Sequence, residues 1–359
     1  MINYDQIFTD IKPFGMPKTE KCNFLTEILT RLTIHHYDNC AGYKNILNAL
    51  GFNVRSVRTY HDFPFIPVRL FKEFDLASVD RDKIVKTMTS SGTTGQSVSK
   101  IYVDKTTSQI QSKMMVKIVS SFISSARVPM LIIDSENIMS GRNMFSARSG
   151  AILGFTIFGR DKLFALDDDM GLRTDAILEF LGKYKGGKIL LFGFTFMIWR
   201  HFLGELAKAG IKLDIGDGVL IHGGGWKKLA GAAVTRSQFR EAVREYCGIE
   251  KVHDYYGMVE QGSAIYMECE FGHMHASSYS DIIIRRSGDF SLADTGEKGI
   301  IQAVSISPLS YPGHSVLTED IGVALGEDDC PCGRKGKYFE IIGRLEMSEA
   351  RGCSDTYEL

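Results

Sequence analysis

Residues 86–100 read Lys86-Thr87-Met88-Thr89-Ser90-Ser91-Gly92-Thr93-Thr94-Gly95-Gln96-Ser97-Val98-Ser99-Lys100 and lead into the strand-like Ile101-Tyr102-Val103. The stretch holds eight hydroxyl residues, two glycines and a final lysine, and together these offer the donors that polyphosphate oxygens accept. It is not a Walker A loop, because that pattern places lysine directly after its second glycine and here Gln96 follows Gly95. Composition alone is also typical of a solvated turn. The stretch is therefore a candidate phosphate-binding loop.

The bulk composition is that of an ordinary globular chain. Its 359 residues are 44% hydrophobic and 24% charged, with a net charge of -1, so no strong field attracts nucleic acid or an anionic membrane. The N-terminus lacks the basic and apolar segments of a signal peptide, and no apolar run approaches the ~20 residues of a membrane span. Seven cysteines favour a reducing compartment. We expect a cytoplasmic protein without a membrane span or a nucleic-acid partner.

Strand and helix signals alternate through the middle of the chain. Buried-strand patterns at residues 130–134, 188–193 and 218–222 are separated by helical patterns. This alternation predicts an α/β core with a largely parallel sheet, and shorter strand signals from residue 281 predict a smaller β-rich subdomain. The predicted organisation is an N-terminal helical segment packing on the core (1–85), an α/β nucleotide-binding core (86–280), a β-rich subdomain (281–345) and a mobile tail (346–359).

Two later stretches have compositions suited to a flat ligand. Gly223-Gly224-Gly225 follows a strand-like segment, where missing side chains let a ligand approach the backbone, although a tight turn explains them equally well. The second stretch is His253-Asp254-Tyr255-Tyr256-Gly257-Met258-Val259-Glu260-Gln261. Its tyrosines are either ligand-stacking residues or core aromatics at a bend.

Cysteine and histidine residues are grouped in two places. The first is Cys269-Glu270-Phe271-Gly272-His273-Met274-His275, and the second is Cys330-Pro331-Cys332. Thiolates and one imidazole from these two turns can form a tetrahedral structural zinc site. The alternative is a set of free buried cysteines. The predicted Zn²⁺ ligands are Cys269, His275, Cys330 and Cys332, with His273 as the second choice for the imidazole.

The opening stretch resembles the phosphate-binding motif of adenylate-forming enzymes, which make an acyl-AMP from a carboxylic acid and ATP. Three further motifs follow in that family's order: the Gly223 turn, the aromatic-Gly-x-x-Glu pattern ending at Glu260, and Asp320 with Arg344 downstream. Glu319 stands where the family usually has glycine. Comparable Cys/His and Cys-x-Cys pairs occur in phenylacetate-CoA-ligase-like members of the superfamily.

The resemblance implies ATP and Mg²⁺ as cofactors, since a hard cation neutralises phosphate oxygens. It also implies a role for each matching residue. The residues expected to bind phosphate are Ser90, Ser91, Gly92, Thr93, Thr94, Gly95 and Lys100. Those expected to contact adenine are Gly223, Gly224, Gly225, Tyr255, Tyr256 and Gly257. Glu260 is expected to bind magnesium, and Asp320 and Arg344 are expected to contact ribose or phosphate. Ordinary acyl-CoA ligases continue into a mobile lid domain after this arginine, and the chain is expected to lack the full lid.

The C-terminal residues Arg351-Gly352-Cys353-Ser354-Asp355-Thr356 carry one cysteine, which on its own is typical of an inert surface residue. Together with Tyr311-Pro312-Gly313-His314-Ser315 and residues 329–336, they resemble the acyl-protein synthetases of bacterial bioluminescence fatty-acid reductase systems. That resemblance implies activation of a long-chain fatty acid, thioester formation on Cys353 and delivery to a partner acyl reductase. The predicted catalytic residues are Cys353, Lys100 and Glu260.

Two other functions fit the same sequence. A compact acyl-CoA or acyl-carrier-protein ligase would use a diffusible thiol, and Cys353 would then be incidental. A non-catalytic nucleotide-binding or acyl-binding subunit would only support a partner enzyme.

Overall fold

The computed structural model describes residues 2–90, 98–139, 147–225 and 234–345, apart from the side chain of residue 147. The chain forms two compact units. Among the described residues, the parallel unit is Val119–Tyr256, and the antiparallel unit combines the chain up to Ile118 with the chain from Gly257 to Leu345. These units divide the chain at different points from the predicted boundaries at residues 85 and 280.

The secondary-structure elements are numbered along the chain. The helices of the described residues are α1 (Tyr4–Asp10), α2 (Lys18–Asn39), α3 (Ala41–Ala49), α4 (Leu70–Glu73), α5 (Lys105–Ser120), α6 (Ala147–Phe155), α7 (Thr174–Lys183), α8 (Thr195–Met197), α9 (Gly204–Ala209) and α10 (Arg236–Cys247). The strands are β1 (Ile66–Pro67), β2 (Ile84–Thr89), β3 (Lys100–Asp104), β4 (Val128–Ser135), β5 (Gly159–Leu166), β6 (Ile189–Phe194), β7 (Gly218–Gly223), β8 (Lys251–Tyr256), β9 (Tyr266–Glu268), β10 (Met274–His275), β11 (Ser280–Arg285), β12 (Lys298–Ser305), β13 (Ser315–Glu327) and β14 (Lys337–Arg344). None of the described helices is both long and apolar enough to cross a bilayer.

The parallel unit is an α/β layer structure. Its strands lie in the order β5-β4-β6-β7-β8, and each neighbouring pair is parallel. β4, β6 and β7 are buried along their whole length, which explains their continuous apolar sequences. Phe180 from α7 and Phe239 from α10 pack in one cluster with Leu191 and Leu220 of the sheet. The predicted alternation of strands and helices and the parallel sheet are confirmed.

The antiparallel unit is built on strands in the order β11-β12-β13-β14-β10-β9. β1 joins β13 in parallel, while β2 and β3 form a separate two-stranded ribbon. The N-terminal helices are tied to this unit: the Tyr4 hydroxyl donates to the Ile306 carbonyl at 2.8 Å, and the Tyr279 hydroxyl donates to the Ile11 carbonyl at 2.6 Å. The predicted β-rich character of the chain after residue 281 is confirmed.

A cluster of buried charges joins α2 to β11 and β14. Lys21 and Asp281 are at most 1% exposed, and the Lys21 ammonium lies 3.5 Å from one carboxylate oxygen. The Lys337 ammonium lies 3.5 Å from the other oxygen, and the Tyr60 hydroxyl donates to the same oxygen. Lys337 also donates to the Tyr60 oxygen at 2.8 Å. A single buried acid therefore lies between two lysines. Removing these charges from water costs free energy, and only well-aligned ion pairs and hydrogen bonds can offset that cost.

Candidate active site and metal centre

The candidate phosphate-binding loop joins β2 to β3. Thr89 pairs with Lys100 across this ribbon, and the next pair continues it, because the Ser90 N–H donates to the Ser99 carbonyl at 3.2 Å. The Ser99 N–H in turn donates to the Ser90 hydroxyl at 3.0 Å. The predicted loop residues Ser91, Gly92, Thr93, Thr94 and Gly95 lie outside the described residues. The two bonds between Ser90 and Ser99 thus extend the β2–β3 ribbon to the base of the loop.

Lys100 lies at the start of β3 and is exposed. Side chains alternate along a strand, so Lys100 shares a face with Tyr102 and not with its neighbour Ser99. The Tyr102 hydroxyl donates to Asp75 at 2.6 Å, and Arg81 binds the other oxygen of Asp75. These two hydrogen bonds lower the pKa of Asp75, and the charge of Lys100 adds to the effect. The phosphate role of Lys100 remains a prediction.

Glu260 lies on a short 3-10 turn, Val259–Gln261, and is 5% exposed. The side chain of Gln261, the residue after Glu260, fixes this turn: its amide donates to the Ala303 carbonyl at 2.7 Å and to the Gly313 carbonyl at 3.1 Å. A Cβ atom at Gly313 would collide with the Glu260 carbonyl oxygen. Glycine at position 313 therefore allows the close approach that seats Glu260.

The Glu260 carboxyl is in an unfavourable place for a charge. Burial raises its pKa, and the neighbouring Ser99 hydroxyl together with the charges of Lys72 and Arg344 opposes that shift. Ser99 closes the base of the candidate phosphate loop, so the carboxylate lies beside the end of that loop. A carboxylate oxygen is a ligand that a hard cation such as Mg²⁺ prefers, and the magnesium role of Glu260 stays a prediction.

Asp320 and Arg344 are cross-strand neighbours on β13 and β14. Arg344 Nε donates to an Asp320 oxygen at 3.0 Å. The adjacent Glu319, which departs from the family pattern, accepts from Arg69 Nε at 2.6 Å. Arg69 and Lys72 were not predicted from the sequence. The unexpected acid at position 319 was the available signal, because a half-buried carboxylate calls for a nearby cation.

The glycine turn of the parallel unit follows β7. A Cβ at Gly223 would collide with the Tyr255 ring, and Gly224 has a φ of +79°, which favours glycine. Tyr255 packs against Phe155 and Phe192 at centroid distances of 5.2 and 6.2 Å. Glycine at position 223 is thus required by the Tyr255 ring, which packs on two phenylalanines and is itself partly exposed.

Tyr256 ends β8, and the next residue, Gly257, begins the part of the chain that belongs to the antiparallel unit. Because side chains alternate along a strand, Tyr256 points away from the aromatic cluster of Tyr255. Tyr256 is partly exposed, and no atom of the described residues lies within 4 Å of a Cβ placed at Gly225. Adenine contact by Tyr256 and Gly225 stays a prediction.

His222 lies at the carboxyl end of β7, at the edge where parallel sheets usually bind ligands. Its Nδ1 is 2.9 Å from the Thr195 hydroxyl and 3.6 Å from an Asp254 oxygen. Burial, followed by the charge of Arg240, lowers the pKa of His222 to about 3. His222 is therefore neutral near pH 7. Thr195 was not found from the sequence.

The predicted zinc residues come together in the antiparallel unit. One ligand atom each from Cys269, His275, Cys330 and Cys332 lies within 4.8 Å of the others. A backbone hydrogen bond closes each cysteine turn. The Gly272 N–H donates to the Cys269 carbonyl, and the Gly333 N–H donates to the Cys330 carbonyl; both glycines have positive φ. The pairing of β10 with β14 brings the two turns side by side.

The distances fit a tetrahedral metal site. Zn–S bonds of ~2.3 Å separate two sulfur ligands by about 3.8 Å, and Cys269 Sγ lies 4.0 Å from Cys330 Sγ. His275 Nε2 is 3.3 Å from Cys332 Sγ. His273 is outside the four-residue group, although its Nδ1 is 3.3 Å from Cys330 Sγ.

Solved structures of 2-hydroxyisobutyryl-CoA ligase share this fold. The open conformation, in complex with 2-HIB-AMP and CoA, aligns with a TM-score of 0.73 at 15% identity and covers 94% of this chain and 77% of that one. The same ligase in its thioesterification state gives a TM-score of 0.71 at 15% identity, covering 93% of this chain and 70% of that one. At this identity the likeness concerns the fold alone, and it confirms the predicted adenylate-forming architecture.

Sequence comparison extends over the whole chain. The family described as acyl-protein synthetase, LuxE, matches residues 2–358. A long-chain-fatty-acid–luciferin-component ligase of Vibrio harveyi is 23% identical over 340 residues, which cover 89% of this chain and 83% of that relative. The Aliivibrio fischeri protein of the same name is 22% identical over 364 residues, covering 98% and 92%. The chain therefore belongs to the LuxE family of acyl-protein synthetases.

Proposed function

We propose that this protein activates a long-chain fatty acid as acyl-AMP and then takes the acyl group onto Cys353 as a thioester. The observation that carries the proposal is the family match over residues 2–358, together with two relatives named as long-chain-fatty-acid ligases. The buried Glu260 beside the base of a hydroxyl-rich loop supports the nucleotide half of the reaction. A partner acyl reductase is the proposed acceptor of the acyl group.

In the first step, the fatty-acid carboxylate attacks the α-phosphorus of ATP. The bond from that phosphorus to the pyrophosphate oxygen breaks, and pyrophosphate leaves with the electron pair. Ser90 and residues 91–95 would donate hydrogen bonds to phosphate oxygens, which stabilises the charge that spreads during transfer. Glu260 would hold Mg²⁺, which neutralises phosphate charge when bound.

In the second step, the Cys353 thiolate attacks the acyl carbonyl carbon, and AMP leaves as an anion. The thiol proton passes to solvent before the attack, because the thiolate is the nucleophile. Arg351 is two residues away in the sequence, and its charge favours the thiolate. A mixed anhydride is reactive enough that the protein mainly positions the groups and excludes water.

Exchange of labelled pyrophosphate into ATP tests the first step. We expect fatty-acid-dependent exchange by the purified protein, and a loss of roughly 100-fold in Glu260→Gln. Glu241→Gln is a matched control, because Glu241 is a solvent-facing acid of α10 that accepts from Ser237. If no fatty acid supports exchange by the wild-type protein, the chain is a non-catalytic subunit and the proposal fails.

Labelling with a radioactive fatty acid and ATP tests the second step. Cys353→Ser should keep pyrophosphate exchange and lose hydroxylamine-sensitive label, whereas Cys22→Ser, which alters a half-exposed thiol on α2, should keep both. Covalent labelling of Cys353→Ser would contradict transfer to that residue. Rapid acyl-CoA formation by the same variant would instead favour a compact acyl-CoA ligase.

We infer a structural Zn²⁺ at the four-residue cluster, with three thiolates and one imidazole as its ligands. The support is the donor set itself and the spacing of its atoms within 4.8 Å, because Zn²⁺ prefers such soft, tetrahedral surroundings. Elemental analysis of protein purified without chelator should find about one zinc per chain, and less in Cys332→Ser. Zinc-free, stably folded wild-type protein would overturn this inference.

A cytoplasmic location remains part of the proposal. It is supported by the cysteines among the described residues, which are all free thiols, as expected where disulfides are kept reduced.

A further inference from the structure

We propose that Lys72 on α4 binds the polyphosphate of ATP during adenylation. This role rests on the proposed function and adds a phosphate-binding cation that lies outside the Ser/Thr/Gly loop. Three features of the molecule support this role: α4 is fixed in place, Arg69 sets the orientation of α4, and the charge of Lys72 acts at Glu260.

The position of α4 is fixed by the segments on both sides of it. Phe71 is 1% exposed, and its ring meets that of Tyr311 edge-on at 6.4 Å. Just before the helix, β1 pairs with β13, and the Val68 N–H donates to the Leu317 carbonyl at 2.9 Å. The helix is therefore anchored to the strand that carries Asp320.

The orientation of α4 follows from Arg69. This residue has helical dihedral angles, and its carbonyl accepts from the Lys72 N–H at 2.9 Å. Residues three apart share one face of a helical turn. Arg69 reaches Glu319 at 2.6 Å, so the same face directs Lys72 toward the segment that contains Glu319 and Asp320.

The charge of Lys72 acts where the reaction needs a cation. Among the described residues, the charges of Lys72 and Arg344 both favour the ionised Glu260 carboxylate, and Arg344 also donates to Asp320 at 3.0 Å. Ser99 flanks the same carboxylate at the end of the candidate phosphate loop, whereas Lys100 lies on the other face of β3. A lysine ammonium with three N–H donors is well suited to bridge several phosphate oxygens.

Equilibrium binding and exchange kinetics with Lys72→Ala, Lys72→Gln and Lys72→Arg test this assignment. The affinity for ATP should fall roughly 10- to 100-fold in the first two variants, since one charge-assisted contact is lost. Adenosine affinity and the KM for fatty acid should not change, and Lys72→Arg should recover part of the loss. The control is Lys83→Ala, because Lys83 is an exposed lysine whose ion pair is with the exposed Asp80.

Each other outcome has a defined meaning. Wild-type ATP affinity in both Lys72→Ala and Lys72→Gln would overturn the assignment. Equal weakening of ATP and adenosine binding would also overturn it, because that pattern indicates a structural role. If the wild-type protein shows no pyrophosphate exchange, the proposed function fails, and the ATP-to-adenosine affinity ratio still decides whether Lys72 contacts phosphate.

Discussion

The two units of the molecule bury different kinds of residue. In the parallel unit the central strands and the helices over them share an apolar cluster, and the buried pair Arg148–Asp134 is the notable charged exception. The antiparallel unit buries many polar groups within its core. They include Lys21, Thr33, His36, Asp281, Gln302, Ser305, Ser307, Ser310 and His314.

This difference affects how strictly the structure of each unit depends on the identity of its buried residues. Apolar burial is non-directional and scales with area, so a parallel sheet tolerates exchange among similar residues. A buried polar network depends on particular partners with particular geometry, and an unpaired member is costly. We therefore expect single substitutions of buried polar residues to be most damaging in the antiparallel unit.

Asp281→Asn should have the largest effect on stability. It removes the anion closest to Lys21 and Lys337, and the charge of Glu327 then remains as a weaker compensation for both. Removing one partner of a buried pair costs about 3–5 kcal/mol, and here two cations lose their closest anion. Urea unfolding followed by circular dichroism measures the loss. The control is Asp217→Asn, which alters a half-exposed ion pair with Lys251 and should leave the urea midpoint near that of the wild type. Equal midpoints for the two variants would show that the buried Asp281 contributes no more to stability than a surface acid.

Arg148→Met should be the second most destabilising change. Arg148 binds both oxygens of Asp134, at 2.7 and 2.8 Å. Burial already raises the pKa of Asp134, so the abandoned acid can take up a proton, and the expected cost is about 3 kcal/mol. The double variant Arg148→Met, Asp134→Leu should recover at least half of this loss. A greater loss in the double variant would mean that the pair itself, and not the unpaired acid, determines stability.

Acid should weaken the antiparallel unit through two stacked imidazoles. The His36 and His314 rings lie 4.9 Å apart, and burial holds the pKa of His36 well below its usual value and lowers that of His314 to about 3. Both are neutral when folded and take up protons on unfolding below pH ~6.5. Stability should therefore fall as the pH drops from ~6.5, by up to ~1.4 kcal/mol per pH unit for each histidine.

The pH effect is measured as the slope of unfolding free energy between pH ~6.5 and ~4.5. His314→Gln should lower that slope by up to ~1.4 kcal/mol per pH unit, the contribution of one proton, since one fewer group changes its pKa on folding. An unchanged slope in this variant would show that His314 does not contribute.

Glu319→Gln should have the smallest effect. Its partner Arg69 is 59% exposed, and exposed ion pairs contribute little to stability. The urea midpoint should not change measurably. A shift as large as that of Arg148→Met would show that the pair at the departure from the family pattern has a structural role.

The sequence could predict the parts of the molecule that depend on local pattern. Continuous apolar runs predicted the parallel strands, and the paired cysteine turns predicted a group that the fold brings together, Cys269, His275, Cys330 and Cys332. Metal binding by this group stays a prediction. Lys21 and Asp281 were not predicted to be buried, since each looks like a surface residue until its partner is known. Arg69 and Thr195 were missed for a similar reason, because their partners Glu319 and His222 are distant in the sequence. The pairing of β1 with β13, which helps to join the two ends of the antiparallel unit, leaves no periodic signal.

The proposed function requires one chain both to activate a fatty acid and to carry it as a thioester. Mass spectrometry of the intact wild-type protein, incubated with ATP, Mg²⁺ and a panel of fatty acids, tests it most directly. We predict a mass increase equal to the fatty acid minus water, located by peptide mapping on Cys353 and removed by hydroxylamine. Active pyrophosphate exchange with no mass increase, or an acyl group on another residue, would contradict the claim.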